Sequence, residues 1–199
     1  MALAAVHPVL TRCYERHGAL APRGRTPVDR RFESLSRSIA YQQLAGRAAS
    51  VVWGRVVDAL GGRVDPEVVA SVDPGVLRSA GLSGAKTAAV RDLADKVLDG
   101  TVDLRRAGRL DDDGVVRHLT VVRGIGPWTA QMFLIFDLGR LDVWPTGDLG
   151  VRNGFGVLFG HVEAPSAVEL AELGAAFAPY RSVLAQWCWR AVDGDDADW

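Results

Sequence analysis

Apolar residues return along this chain at helical intervals, and single Gly, Pro or Asp residues separate the runs in place of long polar linkers. RFESLSRSIAYQQL sets Phe32, Leu35, Ile39 and Leu44 near helical spacing, and GRAASVVWGRVVDALGG carries a second amphipathic run to Gly61 and Gly62. SGAKTAAVRDLADKVLDG opens on Ser83 as an N-cap, places Ala88, Leu93 and Val97 on an apolar side, and stops at Gly100. DDGVVRHLTVV, PWTAQMFLIFDLG, DLGVRNGFGVLFG, SAVELAELGAAFA and PYRSVLAQWCWRAV supply further helices. β-Branched residues are plentiful, yet no alternating runs joined by hairpin turns emerge. The predicted fold is all-α. The segment APRGRTPVDRR, residues 21–31, is the most loop-like internal stretch and would let a first helix within residues 1–20 pack away from its sequence neighbour.

A length of 199 residues suits one sizeable core or two small lobes sharing a cleft. With 48% hydrophobic and 24% charged residues the chain is globular, and no apolar run approaches the ~20 residues of a membrane span. MALAAVHPVLTRCYERHG breaks at His7, Pro8 and Arg12 and lacks a signal-peptide core, so a cytoplasmic location is expected. Cys13, Cys188 and the scattered His7, His17, His118 and His161 make neither a four-cysteine cluster nor a zinc spacing, so no metal cofactor is expected. The net charge of −1 gives no global pull on a polyanion. Acidic residues gather at Asp111–Asp113 and in the tail at Asp193, Asp195, Asp196 and Asp198, while Lys86 and Lys96 are the only lysines among many arginines. The composition permits a local basic face without establishing one.

VRGIGPWTA, residues 122–130, concentrates two glycines at the mouth of a helix. HLTVV reads as one helix end and PWTAQMFLIF as the next helix, with RGIG as the turn and Pro127 at the first helical position. Such a turn presents unpaired backbone N–H groups at the positive end of a helix dipole. Gly124 and Gly126 keep no side chain there to hold a partner off, while Ile125 points inward to pin the turn. That is a backbone anion site suited to phosphate; a plain tight turn between helices is the alternative. Downstream, LDVWPTGDLGVRNGF places Asp148 after a Pro-Thr-Gly turn at the start of a helix, where an ordinary N-cap is the alternative to a functional carboxylate.

Taken together, these segments resemble the helix-hairpin-helix DNA glycosylase superfamily. The apolar helix end, Gly124-Ile125-Gly126, Thr129-Ala130 and an apolar helix are similar to its phosphate-gripping hairpin, with Arg123 where the family often has proline. An aspartate some two dozen residues later is its catalytic position, on which Asp148 falls; Asp142 falls on a structural aspartate. DVWPTGDLGV looks most like the 3-methyladenine DNA glycosylase II branch. SLSRSIAYQQLAGRAAS, GLSGAKTAAVRDLA and PYRSVLAQWCWR resemble three further segments of that branch, in order. The chain looks like the compact form without an N-terminal β domain. Bifunctional relatives place lysine where Trp128 stands, so no lyase chemistry is expected, and the iron–sulfur relatives use four cysteines.

The resemblance implies two helical lobes, at about 31–110 and 111–199, with an active-site cleft between them and the first helix packing on the second lobe. It implies a monofunctional enzyme that flips alkylated purines out of duplex DNA and hydrolyses their glycosidic bond, acting as a monomer, nucleoid-associated if bacterial. A cationic purine leaves as a neutral base, so one ionised carboxylate at Asp148 suffices to stabilise the sugar-side charge and orient water. Trp128, Trp189 and Tyr41 are the base-pocket candidates, by cation–π attraction, with core packing as the alternative. Gln43 or Leu44 is the candidate wedge filling the vacated stack, with Gln42 beside them or acting as a buried amide that ties the lobes. Arg123, Gly124, Ile125, Gly126, Thr129, Ser83 and Lys86 are the candidate phosphate contacts, and Arg181 and Ser182 support the cleft. A monovalent cation in the hairpin turn is left open. Rival readings are a non-catalytic DNA-binding module and a glycosylase for deaminated or oxidised bases.

Overall fold

The computed structural model describes residues 7–17, 25–44 and 46–193; the acidic residues Asp195, Asp196 and Asp198, with Trp199, lie outside them, as does the start of the 21–31 loop. In order, the described helices are α1 (Pro8–His17), α2 (Arg31–Tyr41), α3 (Gly46–Ala59), α4 (Pro66–Ser71), α5 (Pro74–Ser79), α6 (Gly84–Leu98), α7 (Leu104–Ala107), α8 (Asp112–Leu119), α9 (Pro127–Met132), α10 (Leu149–Phe159), α11 (Ala167–Gly174) and α12 (Arg181–Asp193). No strand occurs among the described residues, so the fold is all-α. It divides into two compact units, Arg25–Leu138 and a second formed by Met1–Gly24 with Gly139–Trp199.

In the unit Arg25–Leu138, helix starts are set by local chemistry. Asp65, Asp73, Ser83, Asp103 and Asp111 each accept a hydrogen bond from the first turn that follows them, an arrangement worth ~1 kcal/mol per cap. Asp-Pro pairs open α4 and α5, two short helices that periodicity alone does not reveal. Phe32, Leu35 and Ile39 are buried as their spacing predicts, but Leu44 is not part of that face: α2 ends at Tyr41, and Leu44 is exposed. The buried stripe of α6 is also rotated from the expected one, running through Thr87, Val90, Leu93 and Ala94, with Ala88 and Val97 half-buried. Buried Arg31 donates to the carbonyls of Thr26 at 3.2 Å and Leu104 at 2.7 Å. Its pKa is lowered by burial and held up by the charge of Asp137. After α9 the helix widens into a π turn over Phe133–Asp137.

The unit boundary differs from the one expected near residue 110. It falls after Leu138, so α8, the hairpin and α9 belong with the segments before them. The physical reason is the seat of the hairpin: a Cβ on Gly124 would come within 2.9 Å of the Ala89 Cβ of α6, so backbone and helix are already in contact.

In the other unit α10 and α12 cross at Gly154, where any Cβ would overlap the backbone of Cys188. That backbone contact is what lets Val151, Phe155, Leu184 and Cys188 close into one core. Phe155 stacks on Phe159 at 4.2 Å, and His7, at the entry to α1, meets the Phe159 ring at 5.1 Å, edge on. The N-terminal helix therefore belongs with the residues from Gly139 onward. Trp144 lies against Gly174 and donates its indole N–H to the Leu170 carbonyl at 2.8 Å, while a capping box of Ser166 and Glu169 starts α11.

Gly154→Ala is expected to cost at least about 3 kcal/mol, because its methyl group would meet backbone rather than a movable side chain. Urea unfolding monitored by circular dichroism measures it.

Candidate active site

The turn between α8 and α9 is built by two glycines with different roles. Gly124 has φ +78° and sits on Ala89, so both its conformation and its neighbour demand glycine. Gly126 has φ −94° and ψ 177°, extended backbone open to any residue, and nothing within 4 Å of where its Cβ would lie. The fold supplies no reason for glycine at 126. Among the described residues, no acceptor meets the N–H groups of Gly124 and Gly126, and no side chain caps α9. Ile125 is buried and pins the turn as expected, but its own N–H donates to the Val122 carbonyl at 3.1 Å. The Arg123 N–H is likewise committed, donating to Asp92 Oδ2 of α6 at 2.7 Å. Of the expected phosphate contacts, Ile125 therefore offers no amide, and Arg123 offers only its exposed side chain.

Asp92, which no sequence motif marks, anchors the turn. Burial opposes its charge, but the hydrogen bonds from Lys96 and the Arg123 N–H win and hold its carboxyl below the ordinary value. Thr129, also expected at a phosphate, is buried, and its Oγ1 accepts from Gln42 Nε2 at 3.1 Å. The same nitrogen donates to the Gly124 carbonyl at 3.0 Å. Gln42 is thus not a free wedge but an amide tie, as the alternative reading had it; the segments it joins, expected in separate lobes, lie together in the unit Arg25–Leu138. Gln43 and Leu44 are exposed beside it, Gln43 at φ +57°.

Lys86 also departs from its expected place at a phosphate. Its ammonium donates to the Ala40 carbonyl near the end of α2 at 2.8 Å, where the helix dipole is negative, and burial lowers its pKa. Ser83 caps α6, its Oγ accepting from the Lys86 N–H at 3.2 Å. Tyr41 carries the Arg37 guanidinium 4.6 Å over its ring and accepts from it at the hydroxyl, so one face of the ring is already covered. Trp128, in the first turn of α9, is 45% exposed and so is not a core residue.

In the other unit Asp148 is the N-cap of α10 and remains half-buried. Two donors converge on its Oδ1: the Val151 N–H at 2.8 Å and the Trp189 indole N–H at 2.9 Å. Trp189, expected as an open pocket wall, is only 4% exposed; its edge lies over Gly150, and it holds the carboxylate. Gly150 permits this, since a Cβ there would come within 2.8 Å of the indole. The neighbouring thiol of Cys188 is inert by comparison, because burial pushes its pKa well up.

The chain leading to Asp148 is clamped by the start of α12. Arg181 grips Asp142 with two parallel bonds, Nε to Oδ1 at 2.7 Å and Nη2 to Oδ2 at 2.8 Å. Buried Ser182 accepts from the Val143 N–H at 2.9 Å through its Oγ and donates its own N–H to the Leu141 carbonyl at 2.9 Å. Both residues support the carboxylate segment, Arg181 through a structural pair with Asp142. The guanidinium holds the Asp142 carboxyl below its ordinary value against the effect of burial.

Residues 36–179 match the family described as HhH-GPD superfamily base excision DNA repair protein. DNA-3-methyladenine glycosylase 1 of Schizosaccharomyces pombe is 32% identical over 162 residues, 80% of this chain and 71% of that protein. The putative DNA-3-methyladenine glycosylase YfjP of Bacillus subtilis is 29% identical over 102 residues, 51% of this chain and 36% of the relative. Among solved structures, the S. pombe 3-methyladenine DNA glycosylase Mag1 in complex with abasic DNA superposes with a TM-score of 0.87 at 28% identity, covering 98% of this chain and 97% of that one. The DNA-3-methyladenine glycosidase of Bacillus halodurans gives a TM-score of 0.80 at 35% identity, over 95% of this chain and 86% of that one.

The two hairpin glycines should respond differently to substitution. Gly124→Ala should lower unfolding free energy by ~1–3 kcal/mol, from its positive φ and the Ala89 contact, whereas Gly126→Ala should stay within ~0.5 kcal/mol of the parent in the same denaturation assay. For Asp142 the folded pKa is depressed, so its contribution is complete above the unfolded value of about 3.9 and is lost as pH falls through the folded one. Asp142→Asn should therefore flatten the decline of stability below about pH 4, as followed by urea titrations across the acid range.

Proposed function

The chain belongs to the HhH-GPD superfamily of base excision DNA repair proteins, and on that premise we propose that it is a monofunctional DNA N-glycosylase excising alkylated purines of the 3-methyladenine and 7-methylguanine type, leaving an abasic site. The observation that carries this reading is Asp148, a half-buried carboxylate at the mouth of α10 with the Val151 N–H and the Trp189 indole on one oxygen. Mere capping needs only the first of these donors; the second fixes the direction of the carboxylate.

In the proposed reaction the C1′–N bond of a flipped nucleotide breaks as water adds to C1′. An N3- or N7-alkylated purine takes the bonding electrons and leaves neutral, so no acid has to protonate it. Positive charge develops on the sugar as the base departs, and the Asp148 carboxylate stabilises it, directs the water and accepts the proton the water loses as its oxygen bonds C1′. Trp128, where strand-cleaving relatives carry lysine, has no amine for a Schiff base, and its exposed ring suits a cationic base. The Gly124 and Gly126 amides with Arg123 hold a phosphate, with Ser83 at the start of α6 as a second contact. The exposed Gln43-Leu44 pair fills the gap left in the stack.

The partner is double-stranded DNA, engaged by a monomer in the cytoplasm or on the nucleoid; no described helix is long and apolar enough to cross a membrane. The reading requires no cofactor. A monovalent cation in the turn fits its chemistry, since carbonyl oxygens are what it offers; those of Val122 and Gly124 already accept one hydrogen bond each.

Incubation with methylated duplex DNA and chromatography of the released bases tests the proposal. Asp148→Asn should lower 3-methyladenine release at least about 100-fold while keeping affinity for damaged duplex. Release at the parental rate would rule out the mechanism, and release of deaminated or oxidised bases alone would reassign the substrate. Gly126→Ala, neutral in stability, should weaken duplex binding.

A further inference from the structure

On the reading that Gln43 and Leu44 fill the gap in the stack, we propose that Gln42 is the positioning residue that fixes this plug to the phosphate-binding turn, so that the two engage a duplex as one body. Among the described residues, the plug is closed on itself by a single backbone bond, from the Leu44 N–H to the Tyr41 carbonyl at 3.2 Å. Helix α2 ends at Tyr41, Gln42 leaves it with ψ 133°, and Gln43 follows at φ +57°, a conformation non-glycine residues adopt at a cost of ~1–2 kcal/mol. An exposed segment in a disfavoured conformation keeps its place only if its neighbours over-determine it.

Two contacts do so. Lys86 takes the Ala40 carbonyl from behind, fixing where α2 stops. Gln42 then reaches forward, and both hydrogens of its Nε2 are used, one on the Gly124 carbonyl and one on Thr129 Oγ1. The acceptors flank the amide that faces a phosphate: Gly124 precedes Ile125 and Gly126, and Thr129 sits in the first turn of α9. The turn cannot shift against residues 42–44 without breaking both bonds. The turn is itself seated on α6 through Ala89 and Asp92, so a phosphate bound there fixes the plug relative to the strand it must enter. A misplacement of about 1 Å in such an arrangement costs on the order of 100-fold in rate. Because its amide is committed, Gln42 is not the plug; Gln43 and Leu44 are.

The test measures single-turnover excision by the full chain carrying Gln42→Glu, which places an acceptor against the Gly124 carbonyl, or Gln42→Met, which keeps length without donors. Two duplexes are compared, with the same methylated purine either paired or in a mismatch, where unstacking is cheap. Both variants should lose about 10- to 100-fold on the paired lesion and less than about threefold on the mismatched one, with affinity for undamaged duplex held within about threefold. Parental rates on the paired lesion overturn the proposal. So does an equal loss on both duplexes, or a parallel loss of duplex affinity, since either marks simple support of the turn. The methionine variant carries the test if the charged one does not fold. A parent chain that releases no base from either duplex would instead sink the glycosylase reading.

Discussion

The seat of the hairpin on α6 is the contact from which the unit Arg25–Leu138 is organised. Lys86, Ala89, Asp92 and Lys96 recur at intervals of three and four and so share one face of that helix. Lys86 receives the end of α2, Ala89 lies under Gly124, Asp92 takes the Arg123 N–H, and Lys96 pairs with Asp92. The adjoining stripe of Thr87, Val90, Leu93 and Ala94 is buried, which keeps the whole helix from rotating. A core stripe and a polar stripe on one helix thus convert ordinary packing into the placement of backbone amides.

The carboxylate half follows the same logic with α12 as its shelf. Arg181 and Ser182 at its start clamp Asp142 and Val143, and Trp189 two turns later holds Asp148, so one helix positions both ends of the segment between. Its own position is set by the crossing at Gly154, where backbone meets backbone and leaves little freedom to slide. Bidentate pairing at Asp142 adds direction to that rigidity.

Much of this is legible in single-chain sequence wherever the cause is local. Ser83 and Asp148 as caps, the stop of α6 at Gly100, the apolar face of α2 and the inward Ile125 all rest on neighbours within a few positions. What escapes such a reading is long-range. Gln42 bonds residues 82 and 87 positions away, Trp189 bonds one 41 away, and Arg123 one 31 away, distances over which spacing carries no signal. Lys86 misleads for a related reason: a lone lysine near a helix start looks like a free cation until the carbonyl it meets is known. Leu44 stands five positions past Ile39, off the apolar stripe, and the helix has already ended at Tyr41, where Lys86 of another helix takes the Ala40 carbonyl.

Those long-range bonds also bear on how a chain with a net charge of −1 meets a polyanion. Many of its aspartates are engaged within the fold's own bonds: Asp65, Asp73, Asp103 and Asp111 cap helices, Asp92 holds the turn, and Asp142 is locked to Arg181. Each is paired locally with helix N–H groups or a cation, so the formal sum says little about any one surface. What the turn presents is neutral backbone, with amide dipoles fixed in direction and a glycine at 126 whose missing side chain has no internal purpose. An amide donor fixed in this way grips one phosphate at one distance, whereas a flexible lysine would grip many. For chemistry at a single extruded nucleotide, the register of the strand matters more than the strength of its attraction.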